Sequence, residues 1–186
     1  MIEAKNYSVE EVLRNGQVIT IRAIRPEDST ILREEFPEVD QHSLYLRFFQ
    51  NKAKITDQEL RYLTEVDFID HVALVANPVD ETRIIGGGRY FAYEHPAKIR
   101  SAEIAFMVHD RYQGQGIATL IMKHLLIIAR ANGILQFEAV VLPENAGMLA
   151  VFSHTGLPMS VSRMEDVLQV SLFLSSDVSK SREAEL

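Results

Sequence analysis

Apolar and polar positions along the chain follow two periods, and the switches between them mark out the elements. Glu11-Val12-Leu13-Arg14 and Gln17-Val18-Ile19-Thr20-Ile21-Arg22 flank Asn15-Gly16, a strong hairpin signal because both residues tolerate positive φ. Arg25-Pro26-Glu27-Asp28 opens a helical stretch, with proline early and acids near the positive end of the helix dipole. Residues 43–50 and 56–65 read as further short helices, and Thr56-Asp57-Gln58-Glu59 has the spacing of a capping box. His71–Ala76, Arg83–Tyr93 and Ser101–Val108 predict three strands, punctuated by turns at Asn77-Pro78 and Glu94-His95-Pro96. Gly116–Ala131 predicts a helix whose apolar stripe, broken by Lys123, His124 and Arg130, is wide enough to lie against a sheet. Gln136–Val141 is a further core strand, and Asn145–His154 a helix with Asn145 as its cap and Gly156 just past its end. Met159–Arg163 and Val167–Leu174 finish as paired strands.

Antiparallel connections dominate this order, but the strand–helix–strand unit from Ser101 to Val141 demands a right-handed parallel crossover. The expected class is therefore α+β: a mostly antiparallel twisted sheet with one parallel pair, Ser101–Val108 beside Gln136–Val141, flanked by helices. The 186 residues suit one domain, assigned to residues 11–175, with residues 1–10 and 176–186 expected as flexible tails. Ser8-Val9-Glu10-Glu11 is polar, and the stretch from Ser175 onward is charged without apolar periodicity.

Composition removes several classes of function. Cysteine is absent, which excludes thiol nucleophiles, Cys-ligated zinc, iron–sulfur clusters and disulfides together. The six histidines have no metal-ligand spacing, so no metal is expected. A net charge of −7 argues against a general nucleic-acid partner. No run approaches the roughly eighteen apolar residues of a membrane span, and the N-terminus lacks a secretory pattern, so a cytoplasmic protein is expected.

The segment Val108-His109-Asp110-Arg111-Tyr112-Gln113-Gly114-Gln115-Gly116-Ile117-Ala118 lies between a strand and the start of an apolar helix. Gly114 and Gly116 allow close approach to a ligand, and the first turn of the helix offers unpaired N–H groups with about half a positive charge. Such a turn suits a phosphate or diphosphate, although two glycines also occur in ordinary strand-to-helix turns. No Gly-Lys-Ser/Thr follows, which excludes a P-loop. The third glycine of a dinucleotide fingerprint would fall on Thr119, and His109–Tyr112 separate the turn from its strand.

The pattern Gln113-x-x-Gly116-x-Ala118 after an apolar strand resembles the acyl-CoA loop of the GNAT acetyltransferase superfamily. Val18–Pro26 resembles its first strand, Ala102–Val108 its fourth, and Pro143-Glu144-Asn145-x-x-Met148-Leu149 with Thr155-Gly156-Leu157 its second motif. Three blocks are similar to bacterial protein lysine acetyltransferases: Ile24-Arg25-Pro26-Glu27-Asp28, Ser43-Leu44-Tyr45-Leu46-Arg47-Phe48-Phe49 and Ala102-Glu103-Ile104-Ala105-Phe106. The resemblance implies the GNAT fold and acetyl-CoA as co-substrate. It makes Gln113 a coenzyme-binding residue, places the coenzyme's diphosphate on the N–H groups of Gly114, Gln115, Gly116, Ile117, Ala118 and Thr119, its pantetheine arm along Phe106, Met107 and Val108, and Asn145 at the far end of that arm. The implied activity is acetyl transfer to a primary amine, a protein lysine being the leading acceptor, by a monomer or homodimer. A small-molecule amine acetyltransferase and a CoA-binding sensor with little turnover are the alternatives. Relatives often carry a fused regulatory domain, which this length is not expected to accommodate.

A lysine amine, with pKa about 10.4, must lose a proton before it attacks. Glu103 is the candidate base, since partial burial in an apolar strand would raise its pKa; an exposed acid on a half-wet strand face is the other reading. It lies about 13 Å along the strand from Met107, so it would act through water. Met107 N–H is the expected oxyanion donor. Phe152 occupies the position where many relatives carry a tyrosine acid; a thiolate, with pKa near 8.5, leaves without one. Gly86-Gly87-Gly88 is expected to mark a bulge or close backbone approach. His71 and His154 read as partly buried polar groups, and the Ser43–Phe49 helix either packs its aromatic residues or walls an acceptor groove.

Overall fold

His71–Pro78 is buried at every position, as a run of apolar and β-branched residues requires of a strand covered on both faces. In the computed structural model, which describes residues 3–40, 42–44, 54–96 and 98–175, this segment is β3 of one eight-stranded sheet. The elements are β1 (Ser8–Val12), β2 (Val18–Ala23), α1 (Asp28–Glu35), α2 (Asp57–Thr64), β3 (His71–Pro78), β4 (Gly86–Glu94), β5 (Arg100–Val108), α3 (Ile117–Ala131), β6 (Gln136–Val141), α4 (Ala146–Ser153), β7 (Met159–Met164) and β8 (Val167–Phe173). The strand order is β1-β2-β3-β4-β5-β6-β8-β7, antiparallel throughout except for β5 beside β6. The expected α+β class, with that parallel pair, holds. The capping box holds as well: Thr56 Oγ1 accepts the Glu59 N–H at 3.2 Å while Glu59 Oε2 accepts the Thr56 N–H at 2.9 Å. The helix expected over residues 43–50 lies mostly outside the described residues; residues 42–44 are helical.

α3 covers one face of the sheet. Its Ile117, Ile121, Leu125 and Ile128 pack into a core with Tyr90, Ile104, Phe106 and Phe137. The helix comes close because β4 carries glycines on that face. A Cβ on Gly88 would stand 2.7 Å from both Ile121 Cγ2 and Phe106 Cδ1, and one on Gly86 would stand 2.8 Å from Ile117 Cγ2. The close-approach reading of the glycine triplet is therefore right. On the opposite face a smaller cluster joins Ile24, Ala73, Val75 and Ile84 to Ile31 and Leu32 of α1. Asp28, expected only to favour the helix dipole, is buried and accepts both Arg22 guanidinium nitrogens at 2.8 Å and the Arg25 N–H at 2.8 Å, which fixes where α1 begins.

The N-terminal boundary differs from expectation. The sheet starts at Ser8, within the expected tail of residues 1–10, and Ala4 is already in the core. The cause is polar. Tyr7 Oη donates to His124 Nδ1 at 2.7 Å, and Glu11 Oε1 accepts from His124 Nε2 at 2.9 Å and from Lys123 Nζ at 2.6 Å. These bonds hold β1 on α3, so the inward positions of β1 carry Glu11 where an apolar residue would have advertised a strand. The turn also lengthens: Leu13 is buried, and its N–H bonds the Gln17 C=O at 2.9 Å.

Two consequences for stability follow. Gly88→Ala overpacks the α3 contact and should lower unfolding free energy by about 2 kcal/mol in urea titrations. His71 is buried at the start of β3, its ring centroid 5.1 Å from that of Tyr62 and 5.7 Å from that of Phe91, with Nε2 3.3 Å from Arg89 Nη1. Burial, helped by the Arg89 charge, pushes its pKa down to about 4. The unfolded chain therefore takes up the proton first as pH falls from about 6.5 toward 4, and stability drops across that window by an amount of order 2–3 kcal/mol. His71→Gln should flatten this part of a stability–pH profile measured by denaturant unfolding.

Candidate active site

Backbone amides of a strand point alternately to its two edges, and this alternation builds the site. β5 pairs with β4 along its nine residues but with β6 at three positions only, Ser101↔Gln136, Ala102↔Phe137 and Glu103↔Glu138. Beyond Glu103 the two strands part, and β6 pairs with β8 along its six residues. The Arg100 C=O accepts the Leu135 N–H at 2.9 Å on the β6 side, whereas the His109 N–H donates to the Ile85 C=O at 3.0 Å on the β4 side. Alternation between these fixed points turns the N–H and C=O groups of Phe106 and Val108 into the gap and those of Met107 toward Gly87. Met107 N–H is thus engaged by β4, which removes it as the expected oxyanion donor and leaves the Phe106 N–H facing the gap.

A cavity of about 330 Å³ opens in this gap. Phe106, Met107, Val108, Gln113, Gly114, Gly116, Ile117, Ala118, Thr119 and Asn145, all expected in the site, line it. Gln115 does not: its side chain accepts from Asn15 Nδ2 at 2.9 Å and donates to the Arg111 C=O at 3.2 Å. Gly114 and Gly116 have φ of +75° and +96°, a region that side-chain-bearing residues resist. Gly116 caps α3 without a side-chain bond, so the amides of the first turn remain available to an anion.

The loop is held in place before any ligand arrives. Gln113 Nε2 lies 3.0 Å from Ser43 Oγ and 3.2 Å from the Val108 C=O. Asp110 accepts the Asp40 N–H at 2.7 Å and the Ser43 hydroxyl at 2.6 Å. From the other side the hairpin turn docks on it, the Arg14 N–H reaching the Gln115 C=O at 3.3 Å and Arg14 Nη1 reaching the Gly114 C=O at 3.4 Å. Arg14 lines the cavity, no Asp or Glu does among the described residues, and sequence reasoning missed Arg14. The hairpin itself was legible; its contact with a loop a hundred residues away was not.

Glu103 is exposed on the other face of the sheet, level with Phe91 and Glu138, and lines neither this cavity nor the second groove described below. The partial burial expected to tune it is absent, because β5 alternates and odd-numbered residues leave the α3 core. Asn145 accepts the Met148 N–H at 3.1 Å as the cap of α4. Phe152 is buried, its ring edge-on to Phe106, so the position where relatives carry a tyrosine belongs to the core here. His154, expected to be partly buried, is exposed on the cavity rim. His109 is buried with its ring edge-on to Tyr112.

A second groove, of about 120 Å³, lies on the Met107 face of β5 between the sheet and α1. It shares Phe106 and Met107 with the first cavity. Its wall includes Glu35, whose Oε2 accepts the Ile84 N–H at 3.2 Å. Among the described residues no group of three or more His, Cys, Asp or Glu is arranged to hold a metal ion.

A parallel strand pair that parts beside a glycine turn and an amide-rich helix start is the architecture of the GNAT fold. The chain belongs to that family: residues 29–157 match the Acetyltransferase (GNAT) family. It is 33% identical over 144 residues to the acetyltransferase Pat of Mycolicibacterium smegmatis, covering 77% of this chain but 42% of that protein. It thus spans less than half the length of that relative. The crystal structure of the GNAT domain of S. lividans PAT superposes with a TM-score of 0.80 at 30% identity, over 89% of this chain and 96% of that one. The Salmonella typhimurium acetyltransferase yncA, solved with its cofactor acetyl-CoA, shares the fold at a TM-score of 0.68 and 18% identity, over 85% of this chain and 95% of that one.

Proposed function

We propose that the chain transfers an acetyl group from acetyl-CoA to a primary amine, the acceptor being a lysine side chain of another protein. The observation that carries this reading is the pair of backbone positions, Phe106 and Val108, facing the gap beside a preset anion loop. In this reading the amides of Gly114 to Thr119 and the Arg14 guanidinium receive the coenzyme's diphosphate. Phe106 and Val108 take the amides of the pantetheine arm as an added strand. The Phe106 N–H then donates to the thioester oxygen as negative charge develops there, and it gains strength from a site screened by Phe152 and Ile117. Glu103 takes the amine proton through ordered water, and the thiolate leaves without an acid. The lysine acceptor is supported by the three blocks similar to bacterial protein lysine acetyltransferases and by the matched relatives named Pat and PAT.

Equilibrium dialysis should show uptake of acetyl-CoA, and thiol release should depend on a lysine-bearing protein; no uptake overturns the reading. Arg14→Ala should weaken acetyl-CoA binding about tenfold, the scale of one charge-assisted hydrogen bond, and leave acetyl-pantetheine, which lacks the diphosphate, unaffected. Glu103→Gln should lower kcat most at acid pH, where less of the amine is free. An unchanged rate over the whole pH range removes Glu103 from the mechanism.

A further inference from the structure

The second groove is where the chain can distinguish one acceptor from another. Its floor is Gly87, Ala105 and Met107 of the sheet, and Leu32, Phe36 and Val39 stand over it. These residues are apolar, and a groove they line suits an aliphatic stem. Glu35 is the one carboxylate that lines it among the described residues. It sits at the C-terminal end of α1 with its side chain 18% exposed.

The other charged side chain in the groove, Arg89, is turned away: its Nη2 donates to the Leu63 C=O at 3.2 Å and its Nη1 meets His71 at 3.3 Å. Glu35 is less fully engaged. A carboxylate has about four lone-pair positions. The Ile84 N–H takes one, and Arg83 Nε stands 3.5 Å from Oε1, long for an ion pair's hydrogen bond. Burial pushes the Glu35 pKa up against these two partners, with Glu38 and Glu34 pushing the same way. The carboxylate is therefore short of positive charge.

We propose that Glu35 receives the ammonium group of the acceptor and makes the groove selective for a cation carried on an unbranched aliphatic stem, as in lysine. This rests on the acetyl-transfer reading above and adds a specificity-determining residue to it. The groove and the first cavity share Phe106 and Met107, so an amine held at Glu35 stays beside the strand that lines the carrier's cavity. Arg83 competes for the same carboxylate and weakens the contact.

The test compares Glu35→Gln with the unaltered chain on two acceptors, an Nα-acetyl-lysine amide, cationic at neutral pH, and trifluoroethylamine, which is uncharged there. Glutamine keeps the shape and can still accept the Ile84 N–H, so the thermal midpoint should not move. The expected result is a KM for the lysine derivative raised about tenfold, with KM for acetyl-CoA unchanged and trifluoroethylamine turned over as before. Arg83→Gln should act in the opposite direction and lower KM for the lysine derivative. Equal losses on both acceptors, or none on either, overturn the assignment of Glu35 while leaving acetyl transfer intact. A native chain that binds acetyl-CoA but acetylates no amine overturns the transfer reading and this proposal with it.

Discussion

A backbone N–H or C=O removed from water without a partner costs about 1–3 kcal/mol, so strands in a sheet interior part only where something else meets the freed groups. In this chain β5 and β6 part after three paired residues. Neither strand is free to drift back. β5 is bonded along its length to β4, and β6 is bonded along its length to β8. The wedge between them is propped on the core side by aromatic packing, with Phe152 of α4 set edge-on against Phe106. A hydroxyl at position 152 would have to find a hydrogen-bond partner in that core; phenylalanine has no such need. The same substitution that removes a possible acid from the reaction thus suits the residue to hold the gap open.

The cavity in that gap excludes the chain's own dominant charge. The protein carries −7 overall, yet among the described residues no carboxylate lines the cavity and Arg14 does. The nearby acid, Asp110, is turned to the Asp40 N–H and the Ser43 hydroxyl, where it tethers the loop to the segment entering residues 42–44. Positive potential at the loop then comes from fixed dipoles at the start of α3 and from one guanidinium held by a hairpin. Because Gln113, Asp110 and Asn15 set this geometry in advance, an anion meets oriented donors and little reorganisation is required.

The sequence pattern was a good guide wherever one period persisted. β3 to β6, α3 and the capping box at Thr56 were placed within a few residues, because burial and period agreed there. The early start of β1 at Ser8 escaped because its inward side carries Glu11, whose partners Lys123 and His124 lie on α3. The glycine turn before α3 was legible from local geometry, with Gly114 and Gly116 at positive φ. The identity of the amide facing the gap was not: it depends on which edge of β5 each residue addresses, a parity fixed by β4 and by Leu135. Arg14 and Glu35 were invisible for a related reason. Each reaches its cavity through a tertiary contact, from a hairpin in one case and a helix end in the other, and neither stands in a motif.

In the proposed reading, one strand serves both the acyl donor and the amine acceptor. A strand presents hydrogen-bonding groups at its edges and side chains on its faces. At Phe106 and Met107 the edge opens to the first cavity and the Met107 face opens to the second groove. The edge is shared with the glycine loop and α3, which the proposed reading gives to an anionic carrier. The face is walled by α1 and by Phe36 and Val39, elements that make no part of that loop. Changes in the walls can therefore alter what approaches the Met107 face while the edge keeps its amides where they are. With no cysteine in the chain to hold an acyl group between the two clefts, the arrangement suits direct passage from carrier to amine, because the strand that orients one also floors the site of the other.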